Sequence, residues 1–490
     1  MLGELKTLSR ETLVYGLSTV VGRLLNFFLL PLYTHTLIPA EYGVVATVFS
    51  YLAFLNVLYG YGMDFAFMRY YKTSESPAQE PMVFSTAFWS VAATALAFSI
   101  VLFKGAGWMA KTGQIPSKSL VFFSIGILAS DALALVPFCR LRMNHRAGLY
   151  AGLKVVNIAT NIFLNYYFLV TLKLGIKGVF FASLAASLLT LILILPFSLE
   201  ELSWDLSPKV LSRLLRFGLP LVPAGLAAMM VQVIDRPILK FMTNDTVVGL
   251  YQANYRLGIF MMMVVNMFDA AWRPFFLQRA SHPNSKALFA RILTYFTAGS
   301  SFIFLLITLF IASLVTSPIF DGKTLIATAY WPGLAIVPVV TLGYLFDGIY
   351  INFLAPVTLA EKSEYVAYAT GFGALINIVT NFLWIPRWGM MGAAAATLAA
   401  YAGMAIFLYV LGRKLYPVHY EWRRLFHVAG VVVAILLAAR LLGIAEVGSD
   451  RLALRFFLLA AFPAGLFLTG FFNEEEKRAL KRLGPKRISF

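Results

Sequence analysis

Long apolar segments separated by short polar loops fill almost the whole chain, and no loop has room for a soluble domain. Fourteen such segments centre near residues 24, 52, 93, 130, 160, 186, 225, 258, 302, 340, 375, 400, 434 and 462. Crossing a hydrocarbon core of ~30 Å takes about 20 residues. Lipid offers the backbone no hydrogen-bond partners, so each segment is expected to be a helix that satisfies its own. The first run, Leu13 to Leu37, is long and lacks a small-residue cleavage site. It is expected to stay as a span rather than leave as a signal peptide. The pattern predicts an all-α integral membrane protein with about 14 transmembrane helices.

Composition agrees with the pattern. The chain of 490 residues is 60% hydrophobic and 13% charged, against about 25% charged for a soluble protein. Alternating the loops from a cytoplasmic N-terminus places 25 of the 40 Lys and Arg residues inside and 10 outside, with five within spans. That bias predicts that both termini are cytoplasmic. It also accounts for the net charge of +17, so the basic balance implies no nucleic-acid partner. The single cysteine, Cys139, excludes an intramolecular disulfide and a multi-cysteine metal site. The five scattered histidines have no metal-ligand spacing, and no metal or cofactor is expected.

The chain repeats itself. Asn157-Ile-Ala-Thr-Asn161 matches Asn377-Ile-Val-Thr-Asn381, and the run from Gly178 to Ala186 matches that from Gly392 to Ala400. Tyr15-Gly-Leu resembles Phe217-Gly-Leu, and Asp64 with Arg69 resembles Asp269 with Arg273. Four correspondences in the same order predict two pseudo-symmetric six-helix lobes, residues 1–200 and 201–416. An even number of spans per copy relates them by an axis along the membrane normal. Residues 417–472 supply a further helix pair, whose Arg440, Arg451 and Arg455 are expected to snorkel at its outer end. The basic tail, 473–490, suits anionic lipid headgroups.

The most informative stretch runs from Phe217 to Gly258, two apolar segments joined by the turn Thr243-Asn244-Asp245-Thr246. Pro220 and Pro223 remove backbone donors near the start of the first, which predicts a bent helix whose freed carbonyls face protein or water. Its Phe-Gly-x-Pro start, Gly225 after Pro223, Asp235-Arg236, and the later Gly249-x-Tyr251-x-x-x-Tyr255-Arg256 carry a resemblance. The chain resembles the oligosaccharide (O-antigen type) flippases of the multidrug/oligosaccharidyl-lipid/polysaccharide exporter superfamily. The resemblance implies translocation of a polyisoprenyl-diphosphate-linked oligosaccharide across the plasma (inner) membrane. Polysaccharide polymerase and glycosyltransferases would be its partners in cell-surface polysaccharide synthesis.

Charges within the spans are the candidate chemistry, because each costs about 2.5–3.5 kcal/mol in lipid and so tends to face a wet cavity or a partner. Arg23, Lys154 and Arg256 are candidate substrate-binding cations, and an arginine fork matches phosphate oxygens in pairs. The alternatives are an Arg23–Asp64 structural pair and a Lys154 that snorkels to the cytoplasm. Asp131 and Asp347, isolated in spans four and ten, are candidates to carry a proton or bind Na+. Asp64 with Arg69 and Asp269 with Arg273 read as matched structural pairs or an inner gate, and Asp235 with Arg236 as an outer-edge ion pair. Asn157, Asn161, Asn165, Asn377 and Asn381 recur at helical spacing and either bind sugars or join helices.

No phosphate-binding glycine loop, nucleophile motif or loop-borne acid pair is present, so no enzyme activity is expected and an ion or substrate gradient remains as the energy source. Two rivals make different demands. A multidrug/cation antiporter on the same fold would need an acid-dominated cavity. An integral-membrane glycosyltransferase would need a large outer loop with paired acids.

Overall fold

The computed structural model describes residues 22, 24, 25, 27–72, 79–199, 201–320, 322–444, 451–474, 476 and 477. Two compact units divide the chain. The first comprises the described residues of Met1–Leu257 together with Ala329–Ile336 and Thr370–Ala400, and the second those of Gly258–Thr328, Val337–Ala369 and Tyr401–Phe490. The chain order is α1 (Leu29–Thr36), α2 (Pro39–Gly60), α3 (Met63–Tyr71), α4 (Glu80–Thr112), α5 (Lys118–Met143), α6 (Ala147–Tyr166), α7 (Ile176–Ile194), α8 (Pro208–Gly218), α9 (Val222–Val233), α10 (Asp235–Met242) and α11 (Asp245–Tyr255). There follow α12 (Ile259–Arg279), α13 (Ser285–Thr316), a short antiparallel ribbon of β1 (Pro318–Phe320) and β2 (Lys323–Thr324), α14 (Val337–Asn352), α15 (Glu364–Trp388), α16 (Met390–Leu415), α17 (Trp422–Leu441) and α18 (Leu452–Leu468).

The protein is an all-α membrane protein. Among the described residues, eleven helical stretches are long and apolar enough to cross a membrane. Three of the fourteen expected spans are not among them, the first because most of it lies outside the described residues. Only Leu29–Thr36 of the first is a described helix. Asn266, Asp269 and Arg273 lower the hydropathy of α12, and α18 has only 17 residues.

Helix ends follow from local chemistry. Pro39 opens α2, and Glu41 accepts from the Ile38 amide at 3.2 Å. Asn244 accepts from the Val247 amide at 3.0 Å to cap α11, at the turn that the sequence places there. Pro220 and Pro223 break the first segment of the central stretch into α8, a 3-10 turn at Leu219–Leu221, and α9. Pro237 cannot donate to the Val233 carbonyl, and α10 begins anew at Asp235. The second segment is also broken, which no proline announces. A 3-10 turn, Arg256–Gly258, separates α11 from α12. There the Asn254 side-chain amide donates to the Leu250 and Tyr330 carbonyls, at 2.8 and 2.9 Å, in competition with the helical ladder.

Within the first unit α2 and α11 touch backbone to backbone. A Cβ on Gly43 would lie 1.8 Å from the Asp245 carbonyl oxygen, and one on Gly249 would lie 1.8 Å from that of Pro39. The contact is reciprocal, each glycine facing the carbonyl four residues before the other. Small residues allow this approach, and van der Waals packing then joins helices that gain no hydrophobic free energy from leaving lipid. A second close approach joins α3 and α8, where Gly62, at φ 75°, would carry a Cβ 2.4 Å from the Gly218 oxygen.

The first asparagine run joins α6 to α7, whereas in the second Asn381 donates to Asn377 within α15. Asn157 donates to Thr190 and the Ala186 carbonyl on α7, Asn161 to Ser183, and Asn165 to Asn161. One sequence expectation changes here. Arg455 does not snorkel: it is 1% exposed and bonds to Ser313 and the Ile444 carbonyl, because α13 and the turn after α17 offer it oxygen acceptors inside the second unit. The Asp235–Arg236 ion pair is present, 2.7 Å apart, and buried at 1% and 5% exposure, with Tyr251 and Tyr255 of α11 beside the guanidinium.

Candidate anion-binding site

Inside the first unit, the first half of α2, the end of α9, the start of α10 and the end of α11 line a partly open cavity of about 140 Å3. Tyr42, Ser50, Arg236, Gln252 and Arg256 supply its polar groups, and Val45, Phe49 and Val233 are among its apolar lining. Among the described residues, no carboxylate lines it.

The two arginines differ in their partners. Arg236 is held on several sides. Its Nη1 donates to Asp235 and to the Gln232 carbonyl, its Nε donates to Gln252 Oε1 at 3.0 Å, and its guanidinium stacks 4.2 Å from the Tyr255 ring centre. Asp235 also accepts from the Tyr251 hydroxyl and, at 3.5 Å, from Thr397 on α16. The pair is therefore electrically neutral and tightly tied. Arg256, at the break between α11 and α12, forms no ion pair among the described residues, and its buried Nη1 has no hydrogen-bond partner there. Its guanidinium lies 5.8 Å from the ring centres of both Tyr33 and Tyr42, a cation–π frame that leaves the charge uncompensated. An interrupted helix that presents a charge to a cavity is a recurrent way of building a substrate site at membrane depth.

Three tyrosines frame this corner, and the sequence pattern singles out none of them. Tyr33 and Tyr42 ring centres are 5.6 Å apart, and Tyr42 and Tyr330 are 6.1 Å apart. Tyr33 donates to Asn165 Oδ1 at 3.0 Å, and Tyr330 donates to the Leu37 carbonyl at 2.9 Å. The Tyr42 hydroxyl is buried without a partner among the described residues. In a chain with 23 tyrosines the only hint is its place in Glu41-Tyr42-Gly43, beside a helix start.

Among the described residues, the other expected site residues do not line this cavity. Arg23 lies outside the described residues, as do residues 478–490 of the tail. Lys154 stands 4.3 Å from the Phe138 ring centre and within electrostatic reach of Asp131, which accepts a hydrogen bond from Ser187. In the second unit Asp347 lies within electrostatic reach of Asp269, which pairs with Arg273 at 2.7 Å. In the first unit Arg69 lies 4.5 Å from the Phe217 ring centre, and Asp64 has Arg142 as its charged neighbour. Among the described residues, no group of His, Cys, Asp and Glu is arranged to hold a metal ion.

A family described as polysaccharide biosynthesis protein matches residues 8–280, more than half of the chain. The protein belongs to that family. Three solved structures show the fold to which the family's sequence gives rise here. The lipid II flippase MurJ, in an inward closed conformation, superposes with a TM-score of 0.73 at 15% identity, covering 96% of this chain and 100% of that one. An inward-facing multidrug-resistance MATE-family transporter of the MOP superfamily gives 0.61 at 15% identity, over 80% of this chain and 94% of its own. A MOP-superfamily transporter from Pyrococcus furiosus, reported to have a binding pocket of reversed polarity, gives 0.58 at 14% identity, over 84% and 95%. No curated protein matches the chain. The chain is thus a polysaccharide-biosynthesis family member with the helical fold of MOP-superfamily membrane transporters.

Proposed function

We propose that the protein is a flippase that moves a polyisoprenyl-diphosphate-linked oligosaccharide from the cytoplasmic to the outer face of the plasma membrane. The observation that carries this reading is Arg256: among the described residues, a cation with no ion-pair partner, at a helix break, in a cavity lined by no acid. Such a site attracts an anion and repels the organic cations that an antiporter of the same fold would export. The headgroup needs a polar path while its lipid tail stays in the bilayer. Family membership and the MurJ-like fold support the same substrate class.

In this reading Arg23 and Arg256 hold the diphosphate, with Lys154 nearer the cytoplasmic entrance. The lobes 1–200 and 201–416 rock about the site, and the reciprocal Gly43–Gly249 contact fits a pseudo-twofold relation between them. Both termini are cytoplasmic, and Asp131 or Asp347 couples transport to a proton or sodium gradient. A polysaccharide polymerase and glycosyltransferases act before and after it.

The test is export of lipid-linked oligosaccharide in cells that depend on this protein. Charge-assisted hydrogen bonds contribute about 1.5–3 kcal/mol, so Arg256→Gln should weaken substrate binding roughly ten- to a hundredfold at unchanged protein level. Arg256→Lys should rescue only in part, since it keeps the charge and loses the planar fork. Full export by an Arg23→Gln, Arg256→Gln double variant would return both arginines to structural roles.

A further inference from the structure

We propose that the Tyr42 hydroxyl and the Arg256 guanidinium form a subsite for one phosphate group, with Tyr42 the residue that orients it. This rests on the reading of the cavity as an anion site and goes further in assigning the second donor. Three neighbouring tyrosines differ in one respect. Tyr33 and Tyr330 donate to Asn165 and to the Leu37 carbonyl. Tyr42, 1% exposed, has the same packing role but donates to nothing among the described residues. A buried hydroxyl without a partner destabilises a fold, whereas phenylalanine would keep the ring contacts without that cost. Three hydroxyls in one aromatic cluster, two of them paired, single out the third as a group available to a ligand.

The neighbourhood defines that ligand. Tyr42 and Arg256 line the same cavity, Arg256 Nη1 is also buried without a partner among the described residues, and the Tyr42 ring lies 5.8 Å from the guanidinium carbon. Two orphaned donors, one of them charged, call for an acceptor with several oxygens and negative charge. The Arg236–Asp235 pair adds no net charge, so among the described residues the cavity carries one uncompensated cation. A volume of about 140 Å3 admits several waters or one phosphate-sized anion, and the partly open cavity lets what the phosphate carries extend beyond it. The subsite therefore grips the phosphate alone and is indifferent to what is attached beyond it.

The test uses the full-length protein in nanodiscs of zwitterionic lipid, with inorganic pyrophosphate and a sugar-free polyisoprenyl diphosphate as separate probes. Wild type should bind at least one of them; binding of both places recognition in the free anion, and binding of the second alone places it in the lipid headgroup. Tyr42→Phe should weaken that binding about tenfold or more, with an unchanged or higher melting temperature because no protein hydrogen bond is lost. If wild type binds neither probe, or Tyr42→Phe binds as wild type does, the subsite is refuted. A Tyr42→Phe variant that melts earlier at unchanged affinity would make the hydroxyl structural. The two readings fail separately. Loss of export in Arg256→Gln with normal binding by Tyr42→Phe removes the subsite and leaves the flippase. Full export by the Arg23→Gln, Arg256→Gln double variant removes the flippase site itself.

Discussion

Replacing Gly249 with alanine tests the backbone contact on which the first unit is built. The new Cβ would lie 1.8 Å from the Pro39 carbonyl oxygen and 3.0 Å from the Gly43 nitrogen. Both are main-chain atoms, so no flexible side chain can yield. Real Cβ contacts begin near 3.0 Å, so α2 and α11 must part by about 1.2 Å, the difference between 3.0 and 1.8. Overpacking of this kind costs about 1–3 kcal/mol, and alanine's better helix propensity returns about 0.5–1 kcal/mol. The net loss expected is up to about 2.5 kcal/mol. Gly43→Ala should cost the same, since its Cβ meets the Asp245 oxygen at 1.8 Å. One displacement relieves both clashes, so the double variant should lose little more than either single one. Gly105 on α4 is the control, because a Cβ there would meet nothing within 4 Å: Gly105→Ala should gain about 0.5–1 kcal/mol. The measurement is denaturant unfolding of the purified protein in detergent. A Gly249→Ala protein as stable as Gly105→Ala, or losses that simply add, would refute the reciprocal contact.

Three further outcomes are expected. Asp235→Asn leaves buried Arg236 without its counter-charge and should destabilise by about 3–5 kcal/mol; adding Arg236→Gln should restore most of the loss in melting temperature. Burial pushes the Glu476 carboxyl up, but the Tyr295 hydroxyl, the Asn473 amide and the Arg424 guanidinium outweigh it and hold it below its ordinary value. Its stabilisation is thus complete above the unfolded pKa and is lost as pH falls through the folded one. Protease access to the segment after α18 should rise below about pH 4, and Glu476→Gln should remove that acid step. Reporter fusions at Lys72, Arg142 and Lys414 should read cytoplasmic, and those at Lys111 and Lys323 external; two reversals would break the fourteen-span topology.

The sequence by itself determined the membrane class and the helical fold, because lipid permits few ways of satisfying a backbone and the hydropathy pattern records them residue by residue. It marked the break at Leu219–Leu221 through Pro220 and Pro223, and the α11 cap through Asn244, since both act within one turn of chain. It also picked out Arg256, because a charge in an apolar run is costly wherever the run folds. Only tertiary structure decided what Arg256 and Arg236 do. Both are arginines in the same stretch, yet Arg236 is neutralised by Asp235, Gln252 and the Gln232 carbonyl, while Arg256 meets two tyrosine rings and no acid among the described residues. That difference depends on α2 bringing Tyr42 against α11, through a contact between Gly43 and Gly249 that lie far apart in sequence. The Arg256–Gly258 break was equally hidden, and beside it Asn254 bonds to the carbonyl of Tyr330, remote in sequence. The buried place of Arg455 was hidden for the same reason, its acceptors Ser313 and Ile444 lying on other elements. Local chemistry is written in adjacent residues, whereas the pairing of a buried charge depends on which distant elements pack beside it.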